Sequence, residues 1–578
     1  MLPRTIWKLP DKNNHPRSNL SGEYGLKPIV SRILMNRSMS DPEEVHRFLR
    51  PSLKDLHNPF LMKDTEKGVD RLVTAISRGE RIAVYGDYDA DGITSIVVMV
   101  KFLRDIQQHV IYYIPDRITE GYGLNRAAID AIINDGVSLI ITVDCGITDT
   151  EEVAYAASRG IDTIVLDHHE VPDILPDAVA AINPNRADCQ FPFKHLAGVG
   201  IVFNFLIALR GTLRNRGFWK DRPYPNLKEY LDLVALGTIG DISPLVDENR
   251  IFAKIGLEII NEGQRVGIKA LKEKSGVDFN IVGAHEASFK LIPRINAAGR
   301  VGSPKDAVEL LLTDDAGEAQ RLASVLDGYN RDRQDIERAI LNESLSHMKE
   351  RYGDGDIKSI VLASPAWHPG VIGIVASKLV DRYYRPVILI SLKDGVGKGS
   401  GRSISEFNLY QGLKDNCDPF LISYGGHRYA AGISIREENI EAFSRSLDDA
   451  VLTGLDLSTL SPHTCVDACC RLNDIDHDLI AQIDMLAPFG NMNPEPVLCV
   501  RNINVTSLTK VGSNHLRMVM NDDTARHNSI WFGMAHLSER LSNSNIDALF
   551  TPQINNWNGM SNIQLRMKDV ALSLSSSS

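Results

Sequence analysis

The sequence predicts an α/β protein with a mostly parallel sheet in its main domain, a second, smaller α/β unit and a C-terminal OB-type β-barrel. Three observations lead to this fold class. Short β-rich runs alternate with helical spacing between residues 81 and 169, as in consecutive βαβ units. A shorter alternation begins near residue 357. From about residue 466 the chain changes to five alternating runs, which suit a small barrel.

The predicted strands of the main sheet are short and apolar, and stretches with helical spacing separate them. Residues 125–134 and 150–158 carry that spacing. The run 233–239 also suits a buried parallel strand, although the stretch around it has mainly helical patterning. The other strands are predicted at residues 82–85, 110–114, 139–143 and 163–166, with a candidate fifth strand at 178–182.

The remaining elements follow in order along the chain. A long, charged stretch of helical period predicts a helical link between two lobes. Glycine-rich turns at 398–403 and 425–427 punctuate the second unit, and such turns can bring backbone N–H groups close to anions. The predicted domains are residues 1–55 (an N-terminal segment), 56–302 (catalytic), 303–352 (linking helical segment), 353–458 (second α/β domain) and 466–572 (barrel).

Composition limits the class of protein. With 578 residues several domains are expected, and a net charge of −11 argues against a protein coated in basic surface, though not against a local basic groove. Seven cysteines are scattered, and their one cluster, near residue 469, lacks the second cluster of a zinc site. Residues 1–19 do not resemble a signal peptide, and no apolar run suits a bilayer. We therefore expect a reduced, cytoplasmic protein with no membrane partner.

The main functional signal is a repeated pattern of acids and histidines directly after apolar runs. Ligands bind beyond the carboxyl ends of strands in open α/β sheets, so these side chains are expected to meet at one edge. Hard oxygen ligands and imidazoles gathered there predict a polynuclear Mn²⁺ or Mg²⁺ site. The pattern comprises Asp87, Asp89 and Asp91 after 81–85, Asp144 after 139–143, Asp167, His168 and His169 after 163–166, and Asp241 after 233–239.

Simpler explanations exist for each acid taken alone. A single Asp is more often a helix N-cap or a turn residue than a ligand. The segment 86–92 could be mistaken for a calcium loop, but it lacks the acid that ends a twelve-residue loop. The repetition of the pattern favours a metal-dependent active site.

Taken together, the motifs resemble those of the RecJ family of bacterial single-strand-specific 5′→3′ exonucleases, which belongs to the DHH phosphoesterase superfamily. The resemblance covers nearly the full length. It implies a DHH catalytic domain, a DHH-associated domain and an OB-fold that guides single-stranded DNA. The matching motifs are residues 86–94, 142–146, 167–169, 197–200, 235–241, 293–300, 367–377, 399–403 and 425–427.

The resemblance also implies roles for individual residues. His169 would lie near the scissile phosphate, and Arg300 would contact the DNA backbone. Arg117 would grip the 5′ end of the DNA. The implied metal ligands are Asp87, Asp89, Asp91, Asp144, His168 and Asp241, and the implied 5′-phosphate and DNA contacts on the facing domain are Ser400, Arg402 and His427.

These residues support a two-ion mechanism for phosphodiester hydrolysis. Asp144, alone on a central strand, is the natural bridging ligand, and His169 and Arg300 would neutralise charge on the phosphate as it builds. Tyr85 stands where related phosphoesterases often have histidine. Neutral tyrosine is a poor ligand for these ions, so we expect one metal position to be weaker or to be completed by water.

Two alternatives remain. A phosphodiesterase or pyrophosphatase of the same superfamily, acting on short or small nucleotides, would share the acidic motifs but would need neither a long linking helix nor a barrel. A non-catalytic DNA-binding scaffold would not need the complete set of acids and histidines. The resemblance further implies a single-strand-binding protein and a RecQ-type helicase as partners. Phe489, Trp531 and Trp557 are candidate stacking residues in the barrel, although each is more often core packing.

Overall fold

The computed structural model describes residues 5–9, 20–117, 119–277, 281–353, 355–456, 460–512, 514–542, 544–557 and 560–573, except the side chains of 556, 557 and 560. The chain forms two compact units. The first comprises the described residues of 56–460, and the second comprises those of 5–55 and 461–573. Among the described residues, no helix has both the length and the apolar character needed to cross a membrane.

A five-stranded parallel sheet forms the core of the first unit. Helices cover both faces, because Ala83 and Ile140 pack under the helices Arg126–Asn134 and Thr150–Ser158, whereas Gly86 faces Ile96 of a helix on the opposite side. The sheet confirms the predicted α/β class. Its strands, in spatial order, are Val110–Tyr113, Ile82–Gly86, Leu139–Val143, Asp162–Leu166 and Ala180–Ile182.

The run 233–239 is not a strand, contrary to one expectation from the sequence. It lies within the helix Leu231–Gly240, which packs against three other α-helices and is buried on all sides. A helix buried all round has no polar face, so its apolar run looks like that of a buried strand. Helices in this part of the unit are Thr65–Arg78, Ala90–Asp105, Gly198–Asn215, Leu231–Gly240, Asp247–Glu262, Val266–Ser275, Ile292–Val301, Pro304–Leu312 and Ala316–Tyr352.

The second half of this unit holds a mixed five-stranded sheet. Helices Ile372–Tyr383 and Ile440–Gly454 pack against it. The strand Val396–Arg402 lies between two neighbours and pairs antiparallel with both. In spatial order the strands are Leu421–Gly426, Ala430–Arg436, Val396–Arg402, Val387–Lys393 and Ile360–Ser364.

The glycine-rich segment 398–403 is therefore mostly a central strand and not an anion-binding turn. Its backbone runs in two strand ladders, which leaves it unsuited to cradle a phosphate. The glycines serve packing instead. A Cβ on Gly399 would lie 2.5 Å from Ile433, and one on Gly401 would lie 2.7 Å from Leu409. Only the side chains of the alternate residues are left to face a ligand.

The second unit contains a closed five-stranded barrel. The strand Leu498–Val511 pairs with both His515–Asn521 and Asn545–Trp557, which closes the ring, and one pairing in the ring is parallel. Trp531 is 6% exposed within the core, so it offers little surface to a base, and the side chain of Trp557 lies outside the described residues. The other barrel strands are Arg526–Trp531 and Met560–Leu572.

The N-terminal segment belongs to this second unit. The strand Ile6–Lys8 pairs in parallel with His463–Cys465, and Trp7 Nε1 donates a hydrogen bond to Asp569 Oδ2 at 2.7 Å. Helices Leu20–Tyr24, Pro28–Asn36 and Pro42–Leu49 place apolar side chains in the same core cluster as the barrel strands. The segment and the barrel therefore share one hydrophobic core.

Candidate metal centre and phosphate pocket

Acids and histidines follow the carboxyl ends of three adjacent strands in the parallel sheet. Adjacent parallel strands end at the same edge, so these side chains converge there. Asp241 joins them from the end of the helix Leu231–Gly240. The strand contributions are Asp87 and Asp89 after Ile82–Gly86, Asp144 after Leu139–Val143, and Asp167, His168 and His169 after Asp162–Leu166.

The converging side chains form groups that could hold a metal ion. In each group the ligand atoms all lie within 4.8 Å of one another. Two of the groups have no residue in common, and a 3.1 Å approach of Asp144 Oδ1 to His168 Nε2 links them. The groups are Asp87, Asp89 and Asp144; Asp91, His168 and Asp241; and Asp144, His168 and His169.

The chemistry of this cluster fits divalent cations. Asp87 Oδ1, Asp144 Oδ1 and His168 Nε2 are buried, and none has a hydrogen-bond partner of normal geometry. Burial and Asp89 raise the pKa of Asp87 to about 8, and burial and Asp241 raise the pKa of Asp91 to about 7. Burial and Asp91 hold the pKa of Asp144 well above its ordinary value. Buried carboxylates that repel one another call for a cation to offset their charge.

A helix N-terminus fixes the position of Asp91. Its two carboxylate oxygens accept hydrogen bonds from the backbone N–H groups of Gly198 at 2.7 Å and Val199 at 2.9 Å, at the start of the helix Gly198–Asn215. The approach is close, since a Cβ on Gly198 would lie 2.6 Å from Asp144 Oδ1. Asp89 caps the helix Ala90–Asp105 by accepting from Asp91 N at 3.0 Å. Backbone N–H groups thus hold both Asp91 and Asp89 in place.

Asp167 orients His169. It is 1% exposed, and its Oδ1 lies 2.7 Å from His169 Nδ1 while Oδ2 accepts from Ile147 N at 2.9 Å. Burial opposes charge on both residues, but their hydrogen bond lowers the pKa of Asp167 to about 2 and raises the pKa of His169 to about 9. Tyr122 adds a hydroxyl 3.1 Å from the same ring nitrogen and donates to Asp144 O at 3.2 Å. The hydrogen bond to Asp167 therefore orients the His169 ring and favours its protonated form.

A cavity of about 640 Å³ lies beside this cluster and brings together the arginines expected to contact DNA. Arg117, Arg300, Ser400 and Arg402 all line it. Arg117 lies over the ring of Tyr88, 5.0 Å from the centroid, and Tyr88 stands between the first two acids of the cluster. Burial, with Arg117 and Arg402 nearby, lowers the pKa of Arg300 to about 10. The cavity therefore concentrates positive charge next to the acids.

Two residues behave differently from the others singled out in the sequence. His427 does not line this cavity, and its Nδ1 lies 3.1 Å from Glu170 Oε2, next to His169 in the chain. Tyr85 is fully buried, and its hydroxyl donates to Gly123 O at 2.8 Å. Tyr85 thus supports the loop that carries Tyr122.

Sequence reasoning did not predict the roles of three supporting residues, although Asp167 was already part of the expected cluster. Asp167 lies inside a motif that was recognised, so its position before two histidines was an available signal. Asn296, whose Oδ1 accepts a hydrogen bond from Ala90 N at 2.8 Å, lies inside a second recognised motif, residues 293–300. Tyr122 carried no signal of its own, because its role depends on a loop folding back over Asp144.

Comparisons with known proteins agree with this architecture. Three family models match the chain. They are described as "DHH family, N-terminal domain" over residues 81–238, "DHHA1 domain" over 356–453 and "RecJ OB domain" over 466–569.

Similar proteins and structures carry the same family name. The single-stranded-DNA-specific exonuclease RecJ of Bacillus subtilis (strain 168) is 38% identical over 98% of this chain and 71% of its own length. The Escherichia coli (strain K12) protein of that name is 38% identical over 86% of this chain and 87% of its own. A crystal structure of RecJ from Thermus thermophilus in complex with Mn²⁺ has a TM-score of 0.83 and 28% identity, covering 99% of this chain and 80% of that one. Because an identity of 38% is sustained over most of this chain and over more than two thirds of each of these two relatives, the chain belongs to the RecJ family.

Proposed function

We propose that this chain is a divalent-metal-dependent exonuclease that hydrolyses the phosphodiester bonds of single-stranded DNA from the 5′ end, in DNA recombination and repair. One observation carries the proposal: the acid and histidine cluster lies beside a cavity lined by three arginines, one of which, Arg117, lies over the ring of Tyr88 between Asp87 and Asp89. The cluster suits hydrolysis, and the cavity suits a terminal phosphate. Because the cavity would hold the end of the strand beside the cluster, only bonds near that end would reach the metal site.

Mn²⁺ or Mg²⁺ is the cofactor that fits the cluster, and two bound ions would supply an activated water and neutralise the leaving oxygen. We propose Asp87, Asp89, Asp91, Asp144, His168 and Asp241 as the residues that hold them. Asp144 is the bridging ligand in this proposal, which is supported by its membership of two ligand groups and its approach to His168.

His169 and Arg300 would act on the phosphate itself. Each presents a positively charged group beside the cluster, where it would offset charge on the equatorial phosphate oxygens. Asp167 keeps the His169 ring oriented through the 2.7 Å contact. Arg300 is anchored because one of its guanidinium nitrogens donates to Gly370 O at 3.0 Å.

The 5′ end would be held by Arg117, Ser400 and Arg402. A planar guanidinium binds a phosphate through two parallel hydrogen bonds, which favours arginine over lysine at such a place. Arg402 Nη1 donates to Ser400 Oγ at 3.2 Å, so the hydroxyl and the guanidinium are presented together. We also propose His427 as a DNA contact, because it lies against Glu170, the residue that follows His169 in the chain.

The rest of the chain would guide the substrate. We propose the barrel, residues 466–572, as a single-strand-binding domain, and 56–302, 303–352 and 353–458 as the catalytic domain, link and DHH-associated domain. The N-terminal segment, 1–55, supports the barrel through their common core. A single-strand-binding protein and a RecQ-type helicase as partners, and the cytoplasm as the location, rest on the family alone.

Digestion of end-labelled oligonucleotides tests the proposal. With Mn²⁺, a single strand blocked at its 3′ end should be degraded, whereas one blocked at its 5′ end, a duplex, and a sample containing EDTA should remain intact. Linear and cyclic dinucleotides serve as competing substrates. Faster turnover of a dinucleotide than of a 20-nucleotide strand would favour a small-nucleotide phosphodiesterase instead.

A further inference from the structure

The cavity that holds the three arginines is larger than a terminal phosphate requires. Its volume of about 640 Å³ lies within the range of roughly 300–1,000 Å³ that accommodates whole small-molecule ligands. Arg117, Arg300 and Ser400 occupy the part next to the catalytic residues, together with Arg402. The remaining room lies over the paired strands Val387–Lys393 and Val396–Arg402, and an occupant joined to that phosphate would fill it.

A row of polar and cationic side chains lines this remaining room. Side chains alternate along a strand, so Lys398, Ser400 and Arg402 share one face, and all three line the cavity. At about 3.3 Å per residue, the Cα atoms of Lys398 and Arg402 are roughly 13 Å apart. Lys393, on the neighbouring strand, lines the same space. The row leads from the arginines toward the hairpin that joins the two strands.

The charge in the cavity exceeds what a monophosphate balances. Five cationic side chains line it, and Asp394 is the one acid among the lining residues. Because Arg300 is proposed to act on the scissile phosphate, four cations and one acid are left for the terminal group, a net charge of +3. Within the described part of the chain, none of the five makes an ion pair with a carboxylate; they are Arg117, Arg300, Lys393, Lys398 and Arg402. A terminal monophosphate brings a charge of about −1.5 to −2. A longer phosphate chain would supply the missing charge in a linear form.

We propose that this cavity accepts 5′-polyphosphate ends, so that single strands with a 5′-diphosphate or 5′-triphosphate are substrates, and that Lys398 contacts the outer phosphates. This inference rests on the proposed exonuclease function. An extra nucleotide is the less suitable occupant, because Trp367, the aromatic residue of the cavity, is 3% exposed and offers little surface for stacking.

The chemistry of the first cut stays the same. Water adds to the phosphorus between the first and second nucleotides, the bond from that phosphorus to O3′ of the first nucleotide breaks, and O3′ gains a proton. The products are a nucleoside 5′-triphosphate and a shortened strand with a 5′-monophosphate. Every later cut then proceeds from a monophosphate end.

Binding without metal provides the first test. Ten-nucleotide strands labelled at the 3′ end and carrying a 5′-hydroxyl, 5′-monophosphate or 5′-triphosphate are titrated with the full chain in EDTA, followed by fluorescence anisotropy. We expect the triphosphate strand to bind at least as tightly as the monophosphate strand. Lys398→Ala should lower affinity for the triphosphate strand about tenfold more than for the monophosphate strand. Lys414→Ala is the matched control, because Lys414 is exposed and does not line the cavity.

Product analysis with Mn²⁺ provides the second test. The first product from the triphosphate strand should be a nucleoside triphosphate. Tenfold weaker binding of the triphosphate strand than of the monophosphate strand by the unmodified protein, equal losses on both strands in Lys398→Ala, or a dinucleotide as first product would each overturn the inference. Failure to cut any strand would contradict the proposed function, while the binding comparison would still decide this inference.

Discussion

Asp144 combines an unusual backbone with a central position in the cluster. Its φ of +60° lies in the left-handed region, where few residues other than glycine and short polar ones occur. The backbone N–H of Asp144 donates to Leu166 O at 2.9 Å, which holds this conformation in place. Such conformations concentrate at functional sites, and here the turn directs the carboxylate toward both ligand groups.

Replacing Asp144 should abolish cleavage without unfolding the protein. In Asp144→Ala we expect turnover with Mn²⁺ to fall by more than the roughly 10–100-fold typical of losing a group that only supports a ligand. Thermal unfolding in EDTA should shift little, because removal of a buried carboxylate that repels its neighbours offsets the strain of alanine at a φ of +60°. Asp144→Asn is the control of similar shape. A variant that kept a substantial fraction of normal turnover would contradict the bridging role.

Arg402 is the single residue whose replacement tests recognition of the 5′ end. Arg402→Ala should slow digestion of 5′-phosphorylated strands about tenfold more than that of 5′-hydroxyl strands, because a charged hydrogen bond to a terminal phosphate contributes on the order of 1.5–3 kcal/mol. The side chain alone carries this effect, since the glycines beside it belong to a central strand. Rates on both substrates are compared at one ionic strength. Equal losses would mean that Arg402 contacts internal backbone phosphates.

At the scale of elements, the start of one helix connects two ligands. The helix Gly198–Asn215 donates two backbone hydrogen bonds to Asp91, while Gly198 lies against Asp144 without room for a methyl group. Gly198→Ala should therefore displace the helix start or Asp144, and lower both the affinity for Mn²⁺ and the turnover about tenfold or more.

The same helix offers a matched control for that substitution. A Cβ on Gly211 would meet no atom within 4 Å, so Gly211→Ala should leave activity unchanged and raise stability by about 0.5–1 kcal/mol. Manganese titration and thermal unfolding of both variants make the comparison. If Gly198→Ala kept the Mn²⁺ affinity and turnover of Gly211→Ala, the close approach of Gly198 to Asp144 would not matter for activity.

Elements were predictable from sequence where a local pattern had only one explanation. The strand Leu139–Val143 and the acid after it combine a short apolar run with a polar end, and that combination predicted both the sheet edge and the cluster. The helix Leu231–Gly240 was expected to be a strand, because complete burial removes the helical period from its pattern of apolar and polar residues. The glycines at 399 and 401 were expected to form an anion-binding turn. They are needed instead because the side chains of Ile433 and Leu409, on other elements, leave no room for a Cβ.

At the scale of the whole molecule, the packing between distant parts of the chain could not be predicted from the sequence. The core of the second unit combines residues from both ends of the chain, with Leu34 and Leu498 in one cluster. The backbone N–H of Lys27 donates to Gln482 Oε1 at 2.7 Å, across 455 residues of sequence. No local pattern reports such a contact. The segment 1–55 could be recognised as separate, but not assigned to the barrel.

This packing determines how the barrel must be removed to test its role. A chain of residues 1–460 would keep the apolar faces of Pro28–Asn36 and Pro42–Leu49 without the barrel core that covers them. A chain of residues 56–460 removes both parts of the second unit and keeps the first unit whole. We therefore expect the longer chain to bind a hydrophobic dye and aggregate, and the shorter one to remain monomeric.

The shorter chain then separates binding from chemistry. Residues 56–460 should cleave a five-nucleotide strand at nearly the rate of the full chain, because the metal cluster and the arginine cavity lie within the first unit. Its affinity for a 40-nucleotide strand should fall at least tenfold, since each base stacked on a single-strand-binding domain contributes roughly 1–3 kcal/mol. Anisotropy on both lengths, with initial rates on the short strand, gives the two quantities. Equal affinity of the two chains for the long strand would remove the barrel from the binding track, whereas loss of cleavage on the short strand would show that the second unit contributes to the chemistry.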